Sequence, residues 1–234
     1  MADFNSFTYP YERVQGNYNT LKGAEEIPYK IITYLMNLPD KNGYVPQDNN
    51  ENPRVRLMKY LYYDGANPLG EALPSAKDIT SMLFDGNNPV LNTDELKEKH
   101  PKGYRIYPIN YWHQAENEAR TLLKCYMGKI NPTVTPFRTT LTLVFEIVVN
   151  YAMDTVTRTS VYSKSFAMEQ CIIEALHGVN IGGIGVVDFN KRVSFDAGTR
   201  AYHNEGQHIT RVFTMSMDWM DSKNENDGMG IFNP

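Results

Sequence analysis

Three short stretches in the second half of the chain contain residue types that could do chemistry. The first has two histidines, the second has glycines, and the third has an acidic residue and a lysine. In "HNEGQH" (203–208), His203 and His208 are five residues apart. Two imidazoles at this distance are potential zinc ligands, but no cysteine or third histidine joins them at a ligand spacing. We therefore predict a solvated polar loop here rather than a metal site.

Glycines dominate the second place, "IGGIG" (181–185), which lies between a predicted helix and a predicted strand. A dinucleotide-binding fingerprint needs the reverse order, with a strand before the glycines and a helix after them. The sequence also contains neither a Walker A motif nor a Gly-x-Ser-x-Gly elbow. We therefore predict a turn at 181–185 and no cofactor site.

The third place, "VVDFNK" (186–191), has an acidic residue and a lysine, as do the sites of some metal-dependent nucleases. Those sites have one residue between the two, whereas two residues separate Asp188 from Lys191, so their side chains fall on opposite faces of a strand and do not form one site. None of the three stretches has the combination of residues that a catalytic site requires. We predict that the protein is not an enzyme and has no catalytic residue, no metal and no cofactor.

Composition limits the classes of protein further. The chain has 234 residues, 41% of them hydrophobic, which suffices for one large domain. A formal net charge of −4 argues against a protein that binds nucleic acid with its whole surface, although scattered arginines leave a local phosphate-contacting rim open. We expect no membrane span and no secretory signal. Cys125 and Cys171 sit in apolar patterns, so we predict reduced core residues.

One strand dominates the sequence pattern. In "TLTLVFEIVV" (140–149) every second residue is large and apolar, as a strand with one buried face requires. That face consists of Leu141, Leu143, Phe145, Ile147 and Val149. The opposite face is half apolar and has one carboxylate, Glu146, between Val144 and Val148.

The elements around this strand predict the fold class. Helical spacing of apolar residues predicts two long amphipathic helices, at 114–128 and 163–178. Shorter helices are predicted at 26–38, at 76–84 behind Ser75, and at 94–100. Further strands are predicted at 104–108, 184–189, 192–196 and 209–220. This order favours an α+β fold, a mostly antiparallel sheet with the two amphipathic helices on one face.

The chain is predicted to have three parts. Residues 1–103 form an N-terminal arm and a loop-rich region of short helices, 104–220 form the α+β domain, and 221–234 form a flexible acidic tail. The first part has too little periodic apolar sequence to fold alone. We expect it to lie against a surface of its own chain or of a neighbour.

One face of the predicted sheet needs a second cover. Helices cover one side only, so either the N-terminal segments or another subunit cover the side with Glu146, whose carboxylate favours a polar partner or a solvated channel wall. Arms and tails with apolar tips also join subunits in assemblies. We predict subunit contacts at Tyr9, Tyr11, Val144, Glu146, Val148, Ile231 and Phe232.

A family resemblance rests on five stretches that follow one another along the chain. These are "YRIYP" (104–108), "LLKCYMGKI" (122–130), "LVFEIVV" (143–149), "FAMEQCIIEALHG" (166–178) and "IGVVDFNKRVSF" (184–195). In element order and hydrophobic pattern, residues 104–220 resemble the tail terminator and neck proteins at the head–tail junction of tailed bacteriophages. Residues 1–103 depart from a compact terminator, which is shorter, so a head-completion protein, a connector ring or another tail-associated ring stays open.

The resemblance implies a structural virion subunit that forms a homo-oligomeric ring around the DNA channel. Its partners would be portal, neck or tail tube proteins, and DNA would pass through the lumen without sequence-specific binding. The protein would be assembled in the cytoplasm of the host cell and would not contact a membrane. Two alternatives stay open: another assembly subunit, either baseplate or head-associated, and, less favoured, a DNA-processing enzyme.

Overall fold

Seven strands form one sheet in the computed structural model of the chain. The structure describes residues 24–38, 48–65, 67–84, 103–110, 120–132, 139–154, 163–181, 185–189, 199–203 and 208–219. The strands are β1 (Ile106–Tyr107), β2 (Thr121–Pro132), β3 (Thr139–Asn150), β4 (Val179–Ile181), β5 (Gly185–Asp188), β6 (Thr199–His203) and β7 (His208–Trp219).

The strands are ordered β1-β2-β3-β7-β5-β4, and β6 also pairs with β7. Every pair is antiparallel except β1 with β2. This confirms the predicted α+β class with a mostly antiparallel sheet. The strands predicted at 104–108, 184–189 and 209–220 are confirmed, whereas the helix at 94–100 and the strand at 192–196 lie outside the described residues.

Four α-helices belong to the described ranges: α1 (Ile27–Met36), α2 (Pro53–Tyr62), α3 (Ala76–Ser81) and α4 (Lys164–Leu176). Helices α1 and α4 confirm the predictions at 26–38 and 163–178. The predicted cap of α3 is also present, because Ser75 Oγ accepts a hydrogen bond from the Asp78 amide at 3.2 Å and the Asp78 carboxylate accepts from the Ser75 amide.

The hydrophobic core lies between the apolar face of the sheet and helices α1, α2 and α4. Its centre is Phe145 of β3, which stacks on Phe213 of β7 with 5.1 Å between ring centroids. Burial of each large apolar side chain here contributes roughly 1.5–3 kcal/mol. Because α1 and α2 precede residue 103, residues on both sides of the predicted 103/104 boundary share one core. The division into domains stays a prediction.

The helix predicted at 114–128 is wrong over 121–128, where the chain forms β2. From residue 121 to residue 125 the side chains on both faces of this strand are buried, so this stretch has no polar-apolar alternation that would reveal a strand. Pairing with β3 along its whole length determines the strand instead. Helices α1 and α2 take the place in the helical layer that this segment was expected to fill.

A buried lysine of α2 binds two residues that precede this helix. Lys59 Nζ lies 2.5 Å from Asp48 Oδ1 and donates to Asn50 Oδ1 at 3.0 Å. The hydrogen bond from Lys59 lowers the pKa of Asp48. Since the Lys59 side chain is 2% exposed, this carboxylate and amide replace its hydration. The N-terminal helices are thereby held by polar contacts as well as by the core.

Candidate assembly surface

The second face of the sheet is the surface at which the sequence predicts subunit contacts. Two neighbouring rows across β2, β3 and β7 form its centre, one of Lys124, Glu146 and Val212, and one of Tyr126, Val144 and Thr214. Side chains in such rows are close enough to contact one another.

An ion pair occupies the first row. Lys124 Nζ lies 3.2 Å from Glu146 Oε1, and the two side chains are only 2% and 11% exposed. Removing two charges from water is costly, and their attraction offsets that cost only while both are present. Burial, and then the Glu146 carboxylate, raise the pKa of neighbouring Tyr126. Glu146 is therefore a paired carboxylate rather than a bare channel wall.

The chain itself covers one end of this face. Val148 is 1% exposed and packs with Leu122, Phe84, Tyr104 and Tyr107. The Phe84 ring centroid lies 5.4 Å from that of Tyr104, edge to face, and 5.3 Å from that of Tyr107. The sequence left two possible covers for the second face, segments of the same chain or another subunit. At this end, segments of the same chain cover it. We call this the covered end.

The opposite part of the face, around Val144, is partly exposed, and we call it the open end. Val144, Tyr126, Val212 and Thr214 are all intermediate in burial. Val144 leans over Gly128, where an added Cβ would lie 2.6 Å from Val144 Cγ2, so only glycine fits beneath it. The partly exposed side chains of the open end are thus those of valine, threonine and tyrosine.

The seven predicted contact residues fall into two groups. Tyr9, Tyr11, Ile231 and Phe232 lie outside the described residues. Among the others, Val144 is partly exposed, Glu146 is paired with Lys124, and Val148 is buried within the chain. Contact between subunits at this face stays a prediction. The accessible part of the face is centred on Val144.

Two buried polar atoms lie at the covered end. His208 begins β7 opposite Asn150, and Thr210 stands opposite Val148. Within the described ranges, His208 Nδ1 and Thr210 Oγ1 have no hydrogen-bond partner. The solvated loop predicted at 203–208 is wrong at its two ends, because His203 and His208 pair across β6 and β7 and His208 is 1% exposed. Residues 204–207 lie outside the described residues.

A second polar cluster joins α2 to the sheet. Arg105, next to β1, binds both carboxylate oxygens of Asp64 at 2.6 Å. Its Nη1 also donates to the Leu61 carbonyl at 2.8 Å, at the end of α2. A cation is favourable at the C-terminal end of a helix, where carbonyl oxygens lack helical partners. Arg105 therefore ends α2 and attaches it to β1.

Lys164, the first residue of α4, approaches the same end of α2. Its Nζ donates to the Tyr63 carbonyl at 2.9 Å. Burial lowers the pKa of Lys164 to about 8, and Asp64 and Asp154 oppose that shift while Arg105 adds to it. A buried ammonium stays charged at neutral pH only with such partners.

Asp154 completes the cluster as a cap for α4. Its carboxylate accepts hydrogen bonds from the Ser165 amide at 2.7 Å and from Ser165 Oγ at 3.1 Å. Sequence reasoning missed the cluster, since its members come from four distant segments and none forms a local motif. Each cation of the cluster contacts a carboxylate or a carbonyl at the end of α2. The cluster therefore joins the helices to the sheet and has a structural role.

Two arginines that the sequence analysis considered for a phosphate-contacting rim are buried in ion pairs. Arg105 binds Asp64, and Arg211 Nη1 lies 2.6 Å from Glu169 Oε2 of α4. The Arg211 guanidinium also lies 5.0 Å from the centre of the Phe166 ring. The guanidinium groups of Arg105 and Arg211 thus bind carboxylates within the fold.

Asp188 of the nuclease-like stretch lies on β5 and is exposed. Its Oδ1 is 2.9 Å from His177 Nδ1, which also accepts a hydrogen bond from the Phe189 amide at 3.2 Å. Lys191 lies outside the described residues. Among the residues that the structure describes, no three metal-ligating side chains converge.

None of the helices in the described ranges is long and apolar enough to cross a bilayer.

Comparison with known proteins gives one match. A protein-family model, YomW, matches residues 55–215, which is more than half of the chain and reaches from α2 to β7. No curated protein and no solved structure matches the chain. The matched range includes the Lys124–Glu146 ion pair, the polar cluster around Arg105 and both ends of the second face.

Proposed function

Because the chain belongs to the YomW family, a phage-derived family, it is a phage protein, and we propose that it is a structural subunit of the virion. In this proposal, copies of the chain form a ring around the DNA channel at the head–tail junction or in the tail, as a tail terminator, neck or connector ring. The observation that supports a ring best is the sheet, whose two sides, among the described strands, present different unpaired edges.

The two edges differ in their strands. On one side, β2 has no partner strand beyond Lys124 in the described part of the chain. On the other side, β4 pairs only with β5 among the described strands. An unpaired edge is a template for pairing with another chain. Contact between unlike edges is heterologous, and heterologous contacts close into rings when the rotation between copies allows it.

The open end provides a second contact surface. Its valine, threonine and tyrosine side chains suit a protein partner, either the next subunit or a neighbouring portal, neck or tail tube protein. The formal net charge of −4 suits a conduit that DNA traverses without sequence-specific binding, because each phosphate contact made by Lys or Arg would slow passage. The proposal assigns the chain no catalytic role.

Electron microscopy and native mass spectrometry of the purified protein test the proposal. We expect a closed ring of one stoichiometry with a central opening, and labelled antibody should locate the protein at the head–tail junction or along the tail of the virion. A chain that stays monomeric at high concentration and binds no head or tail protein contradicts it. DNA cleavage that requires a metal ion would favour the DNA-processing alternative.

A pair of matched variants tests the open end. Val144→Arg places a charge among partly exposed side chains of the second face, whereas Tyr29→Arg places one on α1, where Tyr29 is 52% exposed. We expect the first variant to dissociate the assembly and the second to leave it intact, with circular dichroism unchanged in both. Equal assembly of the two variants would exclude the open end as an interface.

A further inference from the structure

The outer edge of β2 changes at Lys124. Strand β1 runs parallel to β2 and pairs with Leu123 and Lys124. From Cys125 to Pro132, no strand of the described ranges lies on that side of β2. This part of β2 therefore forms a border of the sheet that the described strands make.

One hydrogen bond shows which backbone groups of β2 point outward. The Leu123 amide donates to the Arg105 carbonyl at 2.8 Å, away from β3. Backbone groups alternate in direction along an antiparallel strand, so the amides of Cys125 and Met127 also point away from β3. A bulge follows, and Ile130 then stands opposite Leu141, two residues from the Leu143 that faces Met127. The backbone amide of Ile130 consequently points away from β3 as well.

Pro132 supports this assignment independently. It stands opposite Thr139, two positions from the pair of Ile130 with Leu141, so its backbone nitrogen also points outward. Proline has no N–H to donate and is confined in sheets to edge positions of this kind. Asn131, between them, faces Thr140 and belongs to the ladder with β3.

Strand β4 lies at the same level on the opposite border of the sheet. A single row of paired residues connects the two borders, through Ile130, Leu141, Met217, Val187 and Val179. Each step along this row joins antiparallel strands, and four steps leave β4 running in the same direction as β2. A copy placed beside β2 would therefore add β4 in parallel, as β1 is added further along the same edge.

We propose that, in the ring, β4 of one copy pairs in parallel with the free edge of β2 of the next copy, at the level of Ile130, so that the sheet continues from subunit to subunit. This inference rests on the proposed ring. The chain supplies both halves of the contact at one level, and exposed Gly128 has no side chain to obstruct the approaching backbone.

Hydrogen exchange of individual amides tests the pairing in the assembled protein. We expect the Ile130 amide to exchange at least about 100-fold more slowly in the ring than in the dissociated Val144→Arg variant. The Asn131 amide, which belongs to the β2–β3 ladder, is the internal control and should be protected in both. Rapid exchange at Ile130 in an assembled ring overturns the inference.

A disulfide test identifies the partner strand. With cysteines at Ile130→Cys and Val179→Cys, mild oxidation should yield a ladder of covalent oligomers that ends at the size of the ring, whereas each single variant should yield none. The pair Ile130→Cys and Tyr29→Cys controls for random collision. A ring in microscopy without a ladder contradicts the strand pairing but leaves the ring standing. Protection and cross-linking in an open filament would support the pairing and contradict the ring.

Discussion

Lys124 and Glu146 meet across strands β2 and β3 with 3.2 Å between Nζ and Oε1, and the chain buries both side chains. Toward one end, Val148 is covered by aromatic rings, and toward the other, Val144 is partly exposed. The ion pair thus marks the boundary between the covered end and the open end of the second face. Removing one charge of such a buried pair destabilises the fold more than removing one charge of a surface pair, because water hydrates the remaining charge poorly.

Replacement of the carboxylate should destabilise the fold strongly. We expect Glu146→Leu to lower the free energy of unfolding by about 3 kcal/mol, because the buried Lys124 ammonium loses its counter-charge. Urea denaturation followed by circular dichroism measures the loss. The double variant Lys124→Met with Glu146→Leu should recover most of it, since two apolar side chains replace two charges. A double variant as unstable as the single one would show that the packing, not the charge, matters.

The stability of the joint at α4 should depend on pH through Lys164. The pKa of this amine is about 8 in the folded chain, against an ordinary value of 10.5. Above pH 8 the unfolded state binds more protons than the folded state, so stability rises with pH until both forms are neutral. Compared with Lys164→Met, the natural chain should gain about 2 kcal/mol between pH 7 and pH 9.5. Urea denaturation at the two pH values measures the difference, and a constant difference would contradict the lowered pKa.

Elements whose two faces differ in residue type were predictable from the sequence. Strands β3 and β7 and helix α4 show their period in the order of the residues, because core and non-core positions differ in polarity. Strand β2 does not, since Lys124 and Leu122 on one face and Leu123 and Cys125 on the other are all buried. Its conformation is decided by pairing with β3, a non-local contact that a local pattern does not contain.

The site was predictable in the same partial way. Glu146 is conspicuous as a lone carboxylate in an apolar strand, and Val144, two residues before it, is partly exposed. The partner Lys124 and the rings over Val148 come from segments far away along the chain. Such contacts depend on topology, so the sequence identified the surface without showing which end of it is covered.

Loss of the cap on α4 should have a local effect. Asp154→Ala removes the acceptor of two hydrogen bonds from Ser165, and we expect a loss of about 1 kcal/mol in the free energy of unfolding. Asp154→Asn keeps an acceptor oxygen and should lose less. Hydrogen exchange should accelerate in the first turn of α4 in the alanine variant. Unchanged exchange there would mean that Asp154 does not cap the helix.

Both cysteines should be unreactive while the chain is folded. Burial raises the pKa of Cys171 to about 12 and also raises that of Cys125, and both side chains lie in the core. The thiolate is the reactive form, so we expect reaction with an aromatic disulfide reagent at pH 8 to be at least about 100-fold slower than in urea. The variant Tyr29→Cys supplies an exposed thiol that should react at once. Rapid reaction of one thiol in the natural chain would locate an opening of the core, at β2 if mass spectrometry finds Cys125 modified and at α4 if it finds Cys171.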